Sequence, residues 1–473
     1  MNALESLRHF IPELFLLAGA FAVLFFDFFI SNKKQIGLLA LAVLAGVGWA
    51  TFAQNDGTHP LFYGFFILDP LTEFFRLLAL AVVAMTILLS LKSKELSNTY
   101  EGEYYSLFLF MAFALIVLAA SANLLMIFMS VEFVSILSYL LVGFLKRSSK
   151  AKEAAIKYLL YGSVASGVML FGMSLIFGAS GSLDLKAVQA GTAVPEFFGV
   201  YLMGLILFLT GLGFKISAVP FHMWAPDVYE AAPTPVTAFL TVAPKAAAFA
   251  VLIRVLTAFT PLTGKWDQLI ILLSILTMTL GNLTAISQTN IKRLLAYSSI
   301  AQAGYFLMGL AAFNATGTGG ILVYLLAYAF TNLGAFTIVI AASNQFGSDE
   351  MSSYAGLAKR SPFLAASLTL FLLSLAGIPP LAGFFGKFLV FAGVIEKKFI
   401  LLAVIAAVNS AVAAYYYFKV IRLMYLEKPV DDSALDTAWA LKVTLAITLA
   451  GTILIGIFPA PFLRFAQLAI ALP

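Results

Sequence analysis

The sequence predicts an all-α polytopic membrane protein of fourteen transmembrane helices. Three observations lead there. Of its 473 residues, 62% are hydrophobic and 11% charged, with a mean hydropathy of +0.99. Soluble domains hold about 45–50% apolar and about 25% charged residues. The apolar residues gather into runs near the ~20 residues that a helix rising ~1.5 Å per residue needs to cross the hydrocarbon core. Lysines and arginines collect between these runs, mostly in alternate connections.

The runs fall at residues 10–30, 36–53, 67–91, 104–121, 123–145, 153–180, 197–225, 236–259, 267–287, 294–313, 318–343, 362–392, 399–426 and 439–459. The first is too long for a signal-peptide core and follows a single arginine, so it is expected to be a first span and not a cleaved leader. No connection is long or polar enough for a separate domain, so residues 1–473 are expected to form one integral membrane domain. One set of alternate connections carries Lys33, Lys34, Lys92, Lys94, Lys146, Arg147, Lys150, Lys152, Lys292, Arg293, Lys359, Arg360 and Lys428. The other set, with both termini, carries Arg8, Lys186, Lys265, Lys397, Lys398 and Arg464. Thirteen against six predicts both termini outside the cytoplasm. That placement requires an even number of spans.

The same distribution reads the net charge of +5 as topology and not as a nucleic-acid surface. With no cysteine, disulfides, thiolate metal sites and cysteine-ligated iron–sulfur clusters are excluded. Only three histidines are present, His9, His59 and His222, which argues against haem or a multi-histidine metal site.

An internal repeat is faintly visible. SYLLVG (138–143) in the fifth run resembles GYFLMG (304–309) in the tenth. More telling, the seventh run contains GLGFKISAVP (211–220) and the twelfth GIPPLAGFFGKF (377–388), each with one lysine beside a glycine/proline interruption. Residues 197–225 would make about 43 Å of unbroken helix, more than a membrane core needs. Paired discontinuous spans in corresponding halves point to a transport site near the midplane. An odd number of spans per repeat makes the halves inverted.

Ionisable residues inside spans cost about 2.5–3.5 kcal/mol each on insertion scales, so several together need a reason. Lys215 stands deep in the seventh run. It could cap the carbonyls of a broken helix, or act as a protonation site, because burial makes its charged form costly and brings proton release within reach. The carbonyls freed at Pro220 and the glycines need water or side chains, and such waters could carry protons. Glu132, near the middle of the fifth run, would be neutral alone and charged beside a lysine. Separating such a pair would release a proton. Lys245, among alanines in the eighth run, suits a close-packed seam and a relay role. Lys387 follows the second interruption and has the logic of Lys215. Lys157 lies near the lysine-rich end of the sixth run, where snorkelling is the commoner explanation and function the weaker one. His222 could hand protons between lysines or simply satisfy a helix break. Lys292 and Arg293 read as topology charges, and Glu73 with Arg76 as a neutralising i, i+3 pair. Asp227 and Glu230 are expected to order the connection after the seventh run. The NLT at 282 and NAT at 314 match a glycosylation pattern, but the first lies within a span and neither is expected to be used.

FHMWAPDVYEAAPTPVTAFLTVAPKAA (221–247), NIKRLLAYSSIAQAGY (290–305) and SLAGIPPLAGFFGKF (374–388) resemble the antiporter-like membrane subunits of respiratory complex I, NADH-quinone oxidoreductase, in the form of the subunit-N branch. The resemblance runs over essentially the whole chain. It implies fourteen transmembrane helices, two inverted five-helix repeats (helices 4–8 and 9–13, about 104–259 and 267–426), and breaks in helices 7 and 12. It carries the family's functional charges onto Glu132, Lys157, Lys215, Lys245 and Lys387. Subunit-M relatives hold glutamate at the last of these positions. Subunit-L relatives can hold lysine there but add a C-terminal lateral helix. This sequence runs fourteen residues past its last run and is expected to lack that extension.

The resemblance also implies a proton-translocating subunit with no redox centre of its own. NADH, FMN, iron–sulfur clusters and quinone would be bound by partner subunits, and other antiporter-like and small membrane subunits would be neighbours in a cell inner membrane. Two other functions fit the same residues. One is a subunit of a cation/proton antiporter complex or membrane-bound hydrogenase. The other is a structural membrane scaffold whose buried charges are remnants. A stand-alone carrier lacks any visible asymmetry for an organic substrate.

Overall fold

A side-chain cap opens many of the helices. Asn2, Asn32, Asp69, Asn123, Ser148, Asp184, Asn290 and Asn314 each accept a hydrogen bond from a backbone N–H of the first turn, worth about 1 kcal/mol apiece. The computed structural model describes residues 2–54, 57–96, 101–429, 435 and 437–470. In order, the helices are α1 (Ala3–His9), α2 (Ile11–Phe26), α3 (Lys33–Ala53), α4 (Pro70–Ser90), α5 (Glu101–Ala120), α6 (Leu124–Val142) and α7 (Ser149–Ser180). Next come α8 (Leu185–Thr192), α9 (Phe198–Ile216), α10 (Trp224–Ala231), α11 (Thr234–Leu240), α12 (Ala243–Ala258), α13 (Trp266–Ile286) and α14 (Ile291–Ala312). The last seven are α15 (Ala315–Phe346), α16 (Leu357–Arg360), α17 (Pro362–Ala376), α18 (Ala382–Glu396), α19 (Ile400–Leu426), α20 (Trp439–Ile457) and α21 (Ala460–Ile470).

Among the described residues, twelve helices are long and apolar enough to cross a membrane, or thirteen when α1 and α2, bent by 74°, count as one. α17 and α18 fall short individually because the chain breaks between them. The seventh run holds α9 and then a break, after which α10 starts at Trp224, as its glycines and proline foretell. The eighth run holds a break that its sequence conceals. α11 stops at Leu240 and α12 restarts at Ala243, with Val242 at φ −116°, ψ −71°. Pro244 in the first turn of α12 takes a place where its missing N–H costs nothing. A β-hairpin, β1 (His59–Leu61) with β2 (Phe66–Leu68), and the short helices α8 and α21 decorate one face.

The connections sort onto two ends. Residues from 95, 148–150, 231–232, 290–292 and 349 line one cavity of about 470 Å³ on the lysine-rich face. Residues from 60–69, 122, 184–189 and 257–258 line another of about 230 Å³ on the opposite face. α11 and α12 are buried along their length and α14 and α15 nearly so, whereas α3, α7, α13 and α19 show wide outward faces. With no water in hydrocarbon to satisfy the backbone, helices are the form that such enclosed spans take.

Two long helices have matching ends on opposite faces. α7 and α15 have 32 residues each and terminate at left-handed Gly181 (φ 65°) and Gly347 (φ 63°). Past each glycine the chain pairs with the cap residue of the preceding short-loop helix: Asp184 bridges Asn123, and Glu350 bridges Asn290.

Two buried ion pairs fasten the periphery. Arg254 on α12 grips Asp69 with both Nη atoms (2.8 and 2.6 Å) and donates from Nε to the Ala119 carbonyl at 2.8 Å. Arg76 on α4 pairs with Glu13 on α2, not with Glu73 as its i, i+3 spacing suggests. The partner lies on a different helix, where desolvation makes a charged neighbour mandatory.

Candidate functional site: a line of buried lysines

α9 ends because Ser217 adopts the left-handed region (φ 60°) and the Ala218 N–H returns to the Gly213 carbonyl at 2.8 Å. The Val219 N–H finds Thr277 Oγ1 at 3.0 Å, and Trp224 Nε1 donates to the Phe214 carbonyl at 3.1 Å. Lys215 sits two residues before this stop. Its Nζ is buried and has no hydrogen-bond partner. Three rings stand around it instead, Tyr139 at 5.8 Å, Tyr158 at 5.7 Å and Phe214 at 5.7 Å, supplying cation–π attraction.

Glu132, on α6, accepts a hydrogen bond from Ser166 on α7. Its carboxylate attracts Lys215 through space without forming an ion pair. The expected partners are therefore near one another but not in contact. His222 lies half-buried in the same break, its Nδ1 without a partner, and it makes no hydrogen bond to any of the lysines among the described residues.

Lys245 opens α12 just past the concealed break, and its ammonium donates to the Ser299 carbonyl at 3.1 Å and to Ser299 Oγ at 3.0 Å. The Tyr229 ring lies 5.9 Å away. Lys387, on α18, reaches back over the second break. It donates to the Leu375 and Ala376 carbonyls at 3.0 and 3.1 Å, with the Tyr305 ring 4.5 Å from its Nζ. α17 ends there at left-handed Gly377, φ 91°, leaving the carbonyls of its last turn without helical donors.

Between Lys245 and Lys387 runs a set of polar groups that the sequence did not single out. On α14, Ser299 holds Lys245, and one turn on Gln302 donates to the Leu375 carbonyl at 3.1 Å, the same oxygen that receives Lys387. Tyr324 on α15 donates to Gln302 Oε1. Tyr305 bonds Ser410 (3.3 Å) and Asn282 (3.4 Å), and Asn282 continues to Tyr416 and Asn409. The signal for these was the spacing of Lys292, Ser299, Gln302 and Tyr305, which recur along one side of α14.

On the lysine-rich face, Lys157 is 43% exposed and pairs with Glu153 (2.8 Å) and Asp227 (3.3 Å). Asp227 also takes Arg293 at 2.9 Å, and Arg293 reaches Glu230 at 2.8 Å. Lys292 donates to the Ala232 carbonyl at 2.8 Å and lies 3.7 Å from Asp349. Lys292 and Arg293 are thus structural cations joining α14 to the α10–α11 turn, beyond the topological role expected of them. Asn282 is fully buried and Asn314 caps α15. Among the described residues no three His, Cys, Asp or Glu side chains converge as a metal site.

A model of the NADH:quinone oxidoreductase/Mrp antiporter transmembrane family matches residues 121–413. NADH-quinone oxidoreductase subunit N of Moorella thermoacetica is 43% identical over 439 residues, 92% of each chain. That of Trichlorobacter lovleyi is 40% identical over 478 residues, 99% of this chain and 97% of the relative. Among solved structures, a chain of respiratory complex I from Thermus thermophilus with bound Aureothin shares 32% identity at a TM-score of 0.82, covering 96% and 99% of the two chains. A chain of the Mrp complex from Dietzia sp. has the same fold, with a TM-score of 0.87 at 20% identity over 98% and 97%.

Proposed function

This chain belongs to the NADH:quinone oxidoreductase/Mrp antiporter transmembrane family, and from that membership we propose how its buried charges work. It is a proton-translocating membrane subunit of NADH-quinone oxidoreductase. NADH, FMN, iron–sulfur clusters and quinone belong to partner subunits, and other antiporter-like and small membrane subunits flank this one in a cell inner membrane. The lysine-rich face is the cytoplasmic one and both termini lie on the other.

Fourteen crossings follow when α9 with α10, α11 with α12, and α17 with α18 each count as one. Two inverted five-helix repeats, about 104–259 and 267–426, then account for the matched ends of α7 and α15 on opposite faces.

The observation that carries the mechanism is Lys215, a buried ammonium with no hydrogen-bond acceptor, at a helix break and within the field of Glu132. Its charge is held by aromatic faces and by a carboxylate at a distance, so a small change in that distance alters its hold on a proton. Energy from electron transfer in the partners reaches this pair as a shift of the broken helix or of a neighbouring charge. Lys157 tunes the pair from its cytoplasmic end. The proton passes to Lys245 and through the Ser299–Gln302 line to Lys387, which exchanges with the far side at the second break. His222 borders the first break as an accessory relay.

The test uses inside-out membrane vesicles holding the whole complex. Lys215→Ala and Lys387→Ala are expected to assemble yet to lower NADH-driven vesicle acidification by roughly 10-fold or more. Normal acidification in both variants would remove these lysines from the path. A tagged complex should co-purify with NADH-to-quinone activity. Arrival with antiporter-like subunits alone would assign the chain to a cation/proton antiporter.

A further inference from the structure

Asp349 follows α15 on the lysine-rich face, in a short connection to α16. The backbone fixes it. Ile291 N donates to the Asp349 carbonyl at 2.9 Å, Met351 N to the Thr289 carbonyl at 2.7 Å, and Glu350 bridges Asn290. Its carboxylate therefore faces the start of α14 and the 470 Å³ cavity. Oδ2 lies 3.7 Å from Lys292 Nζ, and Oδ1 is buried without a hydrogen-bond partner. In its ion pair with Arg254, Asp69 has both oxygens satisfied, whereas Asp349, like Glu13, keeps one buried oxygen without a partner. Asp349 thus has an oxygen to spare for a proton.

Four groups face it from the surrounding elements: Lys292 on α14, Ser343 on α15, Glu95 before α5 and Tyr354 before α16. Burial pushes the Asp349 carboxyl above its usual range, Lys292 pulls it back, and Glu95 pushes it up again. Inward of Lys292 the polar side of α14 continues to Ser299, seven residues or about 10 Å along the helix. Ser299 is the residue that holds Lys245.

We propose that Asp349 is the proton-loading group of a second cytoplasmic entry, one that feeds Lys245 along α14 without passing Lys215. The inference rests on the proton-transfer reading above. The Asp349 carboxylate takes a proton from the cavity and becomes a neutral acid. That acid gives its proton, by way of water and the Ser299 hydroxyl, to the neutral amine of Lys245. The products are the Asp349 carboxylate and the Lys245 ammonium, so total charge is unchanged. Lys292, anchored on the Ala232 carbonyl and 3.7 Å from Asp349 Oδ2, stabilises the carboxylate that the transfer leaves behind.

The experiment compares D349N, D349E and K245A in inside-out vesicles of the whole complex, where the bath sets the pH of the cytoplasmic face. Initial NADH-driven acidification is recorded against bath pH. The wild type should lose rate on the alkaline side as Asp349 ceases to load. D349N should run roughly 2-fold slower at neutral pH, because the Lys215 entry remains, and lose that alkaline limb, whereas D349E should regain most of the rate with the limb displaced. Should D349N fail to assemble, D349E decides alone: a displaced limb supports the entry, and an unchanged profile overturns it. If K245A slows pumping while D349N keeps wild-type rate and profile, the second entry is overturned and the lysine pathway stands. If K245A also pumps normally, the pathway and the entry fall together.

Discussion

The two helix breaks solve the same problem by opposite means. At the first, the freed backbone groups are met by the backbone and by neutral side chains. Ala218, Val219 and Trp224 supply the polar partners, and Lys215 is left with aromatic rings and a distant carboxylate. At the second, the lysine is itself the cap, because Lys387 fills two carbonyls that the end of α17 leaves open. Asp227 and Lys387 stand equally far beyond their respective left-handed caps, Ser217 and Gly377. One carries an ion-pair cluster at the surface and the other a buried ammonium. A lysine bonded to backbone is placed; a lysine surrounded by rings is poised. The first break is therefore the better place for a switch and the second for a stable station.

Replacing each lysine by methionine separates these roles. Lys387→Met strands the Ala376 carbonyl, and a buried unsatisfied carbonyl costs about 1–3 kcal/mol. Lys215→Met removes a group with no hydrogen bond to lose. Thermal unfolding of the purified complex should show a drop for the first variant and little change for the second, with pumping reduced in both. Equal losses of stability would erase the distinction between the two breaks.

Glu132→Gln keeps an acceptor for Ser166 and removes only the charge. Pumping is expected to fall on the order of 5-fold, about what one weakened charge–charge attraction supports, with assembly intact. An unaltered rate would mean that Lys215 works without its carboxylate.

The smallest effects should come from the caps. Gly377 holds φ 91°, and a Cβ there would meet Lys387 Cδ at 2.9 Å. Gly377→Ala should cost about 1 kcal/mol and displace the lysine as well. Ser217→Gly relieves a left-handed residue at the other break and should stabilise by up to about 1 kcal/mol. A pumping defect in Gly377→Ala but not in Ser217→Gly would tie the second lysine, and not the first, to the shape of its break.

The spans were legible because hydrocarbon demands length and apolarity, and both are written locally. The breaks in α9–α10 and α17–α18 were legible for a similar reason, since glycine and proline punctuate them. The break before Lys245 was not. TVAPKAAAF reads as continuous helix, and the interruption depends on α11 and α12 packing separately against α4, α5 and α15. Arg76 shows the limit of spacing arguments. Glu73 is close in sequence, yet the buried partner is Glu13, which only the packing of α2 and α4 against α3 and α5 brings near. Ser299, Gln302 and Asp349 carry ordinary side chains whose meaning comes from the lysine each one faces.

The end of α17 has one more consequence. Two carbonyl oxygens around a positive charge, roofed by the Tyr305 ring, are the kind of cradle that would suit a bare monovalent cation. Here the charge is a captive, leashed to α18 by its own side chain. It fills the cradle and can never depart. Sodium or potassium finds the seat taken, and the only cargo the occupant can surrender is a proton.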